Sequence, residues 1–252
     1  MKKKNTRYKI PDTKYKMRIG IDASRAFSQQ RTGIEEYSYQ VIKSLTDKLN
    51  GHQARLASTS GLRESRRVVL YIRKNQKIDF ELPANWRTET IKFPYLWTQV
   101  GLSLKMIFHP VDALFIPAHV VPLIHPRYTI VTVHGLEFEI YPEGYSFLAR
   151  LYMRWSIKMS CRWAKKIIAV SENTKNDLMR LYKVPEKKIE VIYEGVSRDQ
   201  ETVSGEQYEK YKPYILFVGR LEKRKNIKGI IRAYKILREK YNISHKLILA
   251  GK

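Results

Sequence analysis

Cysteine is nearly absent: Cys161 is the only one in 252 residues. No internal disulfide can form, and a reducing cytosol is the simpler setting. Metal-ligand spacing is missing too, since the six histidines are scattered and no second cysteine exists. Long apolar runs are also lacking. The most apolar window, VGLSLKMIFHPVDALFIPAHVVPLI (Val100–Ile124), is broken by Lys105, His109, Pro110, Asp112 and Pro117. It reads as strand, helix and loop pieces rather than a membrane span. Residues 1–16 are basic, but no apolar stretch follows them as in a secretory signal. Acidic residues are few: 24 Asp and Glu stand against 48 Lys and Arg, a net charge of +24. Such an excess predicts attraction to nucleic acid, anionic lipid headgroups or phosphorylated small molecules. No helix-turn-helix, RRM or zinc-finger pattern accompanies it, so nucleic acid is not an expected partner. Nor is there a G-x-S-x-G elbow, or an obvious carboxylate pair among Glu137, Glu139 and Glu143.

What is present is an alternation of short apolar strands and helices. MRIGID (Met17–Asp22), RVVLYIR (Arg67–Arg73), DALFIP, YTIVTVH, AKKIIAVS and KIEVIYEG read as strands. IEEYSYQVIKSLTDKL, with Tyr37, Val41, Ile42, Leu45 and Leu49 near helical spacing, reads as a helix. Ser171 is placed to cap ENTKNDLMRLY, because a serine oxygen can accept an orphan amide of the first turn. The pattern predicts an open, mostly parallel α/β sheet. Residues 197–212 are polar and nearly free of aliphatics, and read as a linker. After them come the strand YILFV, a turn, the helix NIKGIIRAYKILREKY and the strand KLILAG. A lone βαβ leaves its faces and edges uncovered, so a second domain is expected to be incomplete within this chain.

Several stretches could carry chemistry. In GRLEKRKN, Arg220 lies at the carboxyl end of a strand and Lys225 near a helix start. An arginine fork, an ammonium and a helix N-terminus suit a diphosphate. A solvated basic turn explains the same residues, and spacing does not choose between them. Gly33, in RTGIEEY, could bring backbone close to a phosphate or be an ordinary loop glycine. His134, in VTVHGLEFEIYPEGY, ends a strand, where it could bond a sugar hydroxyl, carry a proton or be a satisfied loop histidine. PAHVVPLIHP places His119 in a rigid loop after another strand. The segment KFPYLWTQVGLSLKMIF (Lys92–Phe108) could lie at a membrane interface, but its spacing favours packing of Leu96, Val100, Leu104 and Ile107 into the core.

Taken together, RIGIDAS…TGIEEY, FIPAHVVP, TVHGLEFEIYPEGY, KKIIAVSENTKNDL, VIYEGV and ILFVGRLEKRKN come in the order and approximate spacing of glycosyltransferase family 4. The resemblance runs from about Met17 to Lys252. It implies the GT-B fold, with two Rossmann-like domains facing across a cleft. Residues 17–196 would form the acceptor-side domain after a basic tail of 1–16, and 213–252 would begin the nucleotide-sugar domain. By the same resemblance, Arg220 and Lys225 grip the diphosphate of a nucleoside-diphosphate sugar, and Gly33 approaches it from the other domain. His134 lies near the transferred sugar and is the expected catalytic residue. Asp22 and His119 are acceptor-side candidates. The implied reaction is a retaining transfer to a glycan or lipid-linked acceptor, metal-independent and without a cofactor. It would run in the cytoplasm, with an anionic membrane surface as a partner, in surface polysaccharide or glycolipid synthesis. An inactive remnant is the alternative. Two departures stand out. The family's His-Asp pair is His134–Gly135 here, and its Gly-x-Gly loop is Gly33 followed by Ile34 and Glu35.

Overall fold

The computed structural model describes residues 17–56, 66–195 and 211–251; the basic tail of 1–16 and residues 197–210 of the expected linker lie outside them. The chain forms two compact units, Met1–Leu136 with Leu151–Glu194, and Glu137–Arg150 with Gly195–Lys252. In chain order the elements are β1 (Met17–Asp22), α1 (Gly33–Leu56), β2 (Arg66–Arg73) and β3 (Trp86–Ile91). A π-helical turn, Trp97–Leu102, then runs into α2 (Ser103–Phe108). Next come β4 (Ala113–Ile116), β5 (Tyr128–Val133), α3 (Glu137–Ile140), α4 (Phe147–Trp163), β6 (Lys166–Ala169), α5 (Glu172–Tyr182) and β7 (Ile189–Val191). The last elements are β8 (Tyr214–Val218), α6 (Ile227–Tyr241) and β9 (Lys246–Ala250).

Strands β1 to β7 make one sheet in the order β3-β2-β1-β4-β5-β6-β7, and every pair in it is parallel. This is the parallel α/β sheet that the alternating pattern predicts, in the Rossmann-like architecture that the family resemblance implies. Parallel strands covered on both faces need apolar residues at successive positions. Val68, Val69, Leu70, Tyr71 and Ile72 of β2 are accordingly all buried. On one face Val68, Leu70 and Ile72 join Ile21, Phe27, Tyr39, Ile42 and Trp86 in a single cluster. On the central strand β1, Gly20 has no room for a side chain: a Cβ there would lie 2.8 Å from Tyr71 Cε2 and 3.1 Å from Leu114 Cδ1. Both neighbours are fully enclosed and cannot yield.

Two features depart from the sequence pattern. Strand β3, WRTETI, has no apolar run to announce it. It is an edge strand paired only with β2, and only its ends, Trp86 and Ile91, are buried. The expected core packing of Leu96, Leu104 and Ile107 is not found: all three are exposed, with Leu96 at 60%, and Phe108 reaches 72%. Trp97, Gln99, Leu102, Ser103 and Met106 turn inward in their place. Trp97 donates from Nε1 to the Ile91 carbonyl at 3.2 Å, and Gln99 from Nε2 to the Val121 carbonyl at 3.2 Å. The π-helical turn changes the phase of the helix, so a constant 3.6-residue period picks the wrong face.

Strands β8 and β9 pair in parallel as a separate two-stranded sheet. None of the residues 211–251 whose burial is described is buried. Two strands and one helix have too little surface to enclose a core.

Candidate functional site

The sheet's order reverses between β1 and β4, and ligands of open α/β sheets bind outside the carboxyl ends of the strands at such a point. Asp22 ends β1, the Pro117–His119 loop leaves β4, and His134 follows β5 directly. Three of the sequence candidates therefore share one edge of the first unit.

His134 is the centre of a packed cluster. Its ring meets the Tyr37 ring of α1 edge to face at 4.6 Å and the His119 ring at 5.2 Å. Its Nε2 lies 2.8 Å from the Pro117 carbonyl oxygen, and its Nδ1 lies 3.0 Å from Glu194 Oε1. The Thr174 hydroxyl, at the start of α5, donates to the His134 carbonyl at 3.4 Å. Ser171 caps that helix as expected, accepting from the Thr174 amide at 3.1 Å. Tyr37 Oη and Thr132 Oγ1 are 3.4 Å apart. Burial pushes the Tyr37 phenol up, opposed by the bond to Thr132.

Sequence reasoning did not single out Tyr37 or Glu194 as site residues. Tyr37 was legible only as one apolar position on α1. Glu194 stands in VIYEGV, just past the carboxyl end of β7, and the rule about strand ends would have found it.

His119 is held neutral. Burial, helped by His134 and Arg25, pushes its imidazole down to about 3, and its Nδ1 is enclosed without a hydrogen-bond partner. A histidine whose folded value is depressed costs stability as pH falls from 6.5 toward 3, because the unfolded chain takes up a proton that the folded one refuses. The expected slope is up to about 1.4 kcal/mol per pH unit. Denaturant unfolding at pH 6.5, 6.0 and 5.5 measures it. His119→Phe should flatten that slope; an unchanged slope would show that His119 is not the group responsible.

Asp22 is buried, and its Oδ1 accepts from the Ser24 amide at 3.0 Å. Burial raises its carboxyl, opposed by Ser24, Arg73 and Arg25. The carboxylate thus organises the β1–α1 turn. Glu35, the acidic residue beside Gly33, has a local explanation. It accepts from the Thr32 amide at 3.2 Å and from the Thr32 hydroxyl, and it pairs with Arg25 Nη1 at 3.0 Å. Burial would raise its carboxyl, but the Thr32 bonds and Arg25 outweigh it and hold it low. Thr32-x-x-Glu35 has the spacing of a capping box, and Glu35 makes the half of it that reaches back to the Thr32 amide.

Gly33 opens α1, and a Cβ built there meets nothing within 4 Å. Gly33→Ala should therefore leave stability unchanged or slightly raised, since alanine is the better helix former by about 1 kcal/mol in a helix interior. A selective loss of nucleoside-diphosphate binding, measured calorimetrically, would show that a ligand approaches this backbone. Unchanged binding would leave Gly33 outside the site.

In the second unit, Gly219 and Arg220 follow β8, and Lys223–Lys225 form a single 3₁₀ turn. Asn226 takes a left-handed conformation, and its Oδ1 accepts from the Gly229 amide at 3.2 Å, starting α6. Arg220 and Lys225 are both exposed at the carboxyl end of β8. These two thus lie on the connection between β8 and α6, while His134, His119 and Asp22 belong to the other unit.

The model for "Glycosyltransferase Family 4" matches residues 31–200, and that for "Glycosyl transferases group 1" matches 199–252. The chain belongs to glycosyltransferase family 4. The architecture agrees with the GT-B fold that the sequence resemblance implies. The chain is 31% identical over 134 residues to an O-antigen chain mannosyltransferase of Salmonella typhimurium, covering 53% of this chain and 35% of the relative. It is 29% identical over 130 residues to O-antigen chain mannosyltransferase B of Escherichia coli, covering 48% and 34%. An uncharacterized glycosyltransferase of Methanocaldococcus jannaschii is 32% identical over 97 residues, covering 34% and 24%. The matches thus span about a third or less of each relative's length.

Proposed function

We propose that this glycosyltransferase transfers a sugar, with retention, from a nucleoside-diphosphate sugar to a hydroxyl of a glycan or lipid-linked acceptor in surface polysaccharide synthesis. The observation that carries the reading is the exposed pair Arg220 and Lys225 at the carboxyl end of β8, in a chain of this family. One further negative charge develops on the diphosphate, which already carries two, as the glycosidic bond breaks. An arginine fork and an ammonium already in place stabilise that charge without reorganising at the moment of reaction. The donor phosphate itself takes the acceptor proton. The two bacterial relatives are O-antigen chain mannosyltransferases, which favours mannose as the sugar and O-antigen-like glycan as the product. The test is release of free nucleoside diphosphate by the purified chain from a panel of nucleoside-diphosphate sugars, mannose included. No release above the buffer rate from any donor sinks the reading.

A peripheral membrane location is the second part of this reading, favoured by the exposed side chains on the connection before β4. Tyr95, Leu96, Ile107 and Phe108 face outward, with Lys92 also exposed beside them. With a net charge of +24, such a face suits anionic headgroups. No helix among the described residues is long and apolar enough to cross a membrane. Cosedimentation with phosphatidylglycerol vesicles at 0.15 M salt should be strong and should fall for Leu96→Ser/Phe108→Ser. No cosedimentation of the wild type at that salt removes this location.

A further inference from the structure

Both ring nitrogens of His134 are occupied by the protein. The Pro117 carbonyl, 2.8 Å from Nε2, can only accept, so Nε2 carries a hydrogen. The Glu194 carboxylate oxygen lies 3.0 Å from Nδ1 and holds that side of the ring. The remaining neighbours are ring faces and edges: Tyr37 at 86° and His119 at 76° to the imidazole plane. Rotating the ring would break two hydrogen bonds and two aromatic contacts. Chain position adds to this. His134 is followed by Gly135, so no carboxylate is offered by the next residue. The one in contact arrives from 60 residues downstream, beyond β7.

We propose that Glu194 is a positioning residue for His134: its carboxylate fixes the orientation of the imidazole. The His134 side chain is 9% exposed and that of Glu194 is 48% exposed, so the pair lies at the boundary of the cluster with its acidic partner outward. An incoming hydroxyl can therefore reach the Glu194 side of the pair without opening the core. The other titratable groups around the ring are Tyr37 from α1, His119 from the β4 loop and, next to His119, Arg25 from the β1–α1 loop. Tyr37 and His119 offer the ring edges or faces, so Glu194 is the carboxylate in contact with His134. The functional consequence rests on the transferase reading above; the coupling of the two side chains does not.

The experiment uses the chain with ¹⁵N-labelled histidine and long-range ¹H–¹⁵N correlations at pH 7. The six histidines give six patterns, and His134→Gln identifies the relevant one by its loss. In the wild type, Nε2 of His134 should report the hydrogen it donates to Pro117. In Glu194→Gln and Glu194→Ala the Nδ1 resonance of His134 should shift, because the carboxylate 3.0 Å away is gone, while Nε2 keeps its hydrogen to Pro117. Unchanged patterns for the other histidines show that the fold persists. A bare Nε2 in the wild type, or a His134 pattern unaltered in both variants, overturns the proposal. The same proteins are assayed for donor breakdown. Glu194→Gln should lower kcat by about tenfold or more, with little change in donor KM. If the wild type shows the coupling but no donor breakdown, the transferase reading fails and the positioning role stands. Donor breakdown with no coupling has the opposite meaning.

Discussion

Arg220→Ala is expected to lower the maximal rate of donor breakdown by about 10²–10³-fold, the usual consequence of removing one preorganised donor to a developing anion. The side chain is exposed after β8, so its loss should not alter thermal unfolding. Arg220→Lys is the informative companion. It keeps the charge but loses the planar fork that can hold two phosphate oxygens at once, so it should recover only part of the rate. Lys225→Ala should have a smaller effect, because a single ammonium is a point charge on a flexible stem. Initial rates at saturating donor measure all three. Wild-type rates in Arg220→Ala would return GRLEKRKN to an ordinary solvated basic turn.

The second large effect is on stability. Leu70→Ala should cost about 2–5 kcal/mol. Leu70 is fully enclosed on β2, between β1 and β3, within the cluster of Ile21, Ile42 and Trp86. For a chain of this size the melting temperature should fall by roughly 4–20 °C. Leu216→Ala on β8 is the control. Leu216 is half-exposed, and the same chemical change there should stay near ±0.5 kcal/mol. Calorimetry on both variants makes the comparison. Equal losses would mean that β8 is buried in solution in a way the structure does not show.

The predictions differ because of what a sequence can encode locally. Apolar runs such as RVVLYIR announce strands buried on both faces, since every position in such a strand meets a covering layer. β1, β2, β4, β5 and β6 are legible for that reason; β8 carries the same kind of apolar run, although none of its residues is buried. Ser171 was readable as a cap because its partner, the Thr174 amide, is three residues away. Thr32-x-x-Glu35 was equally local and explains the acidic residue beside Gly33. The succession of weak motifs identified the family, because each motif sits at a strand end or helix start and their order follows the chain.

What the sequence by itself determined, then, is the alternation of elements, the family and the Ser171 cap: features set by near neighbours or by motifs that follow the chain. Tertiary structure alone decided the rest. It placed WRTETI at the sheet edge, where a strand needs no apolar alternation. It turned Leu96, Leu104 and Ile107 outward, because helical spacing marks an apolar face without saying whether anything covers it. It also joined His134 to Pro117 and Glu194, 17 and 60 residues away along the chain. Those contacts depend on which strand ends lie side by side, and strand order is a property of the folded sheet rather than of any short stretch of sequence.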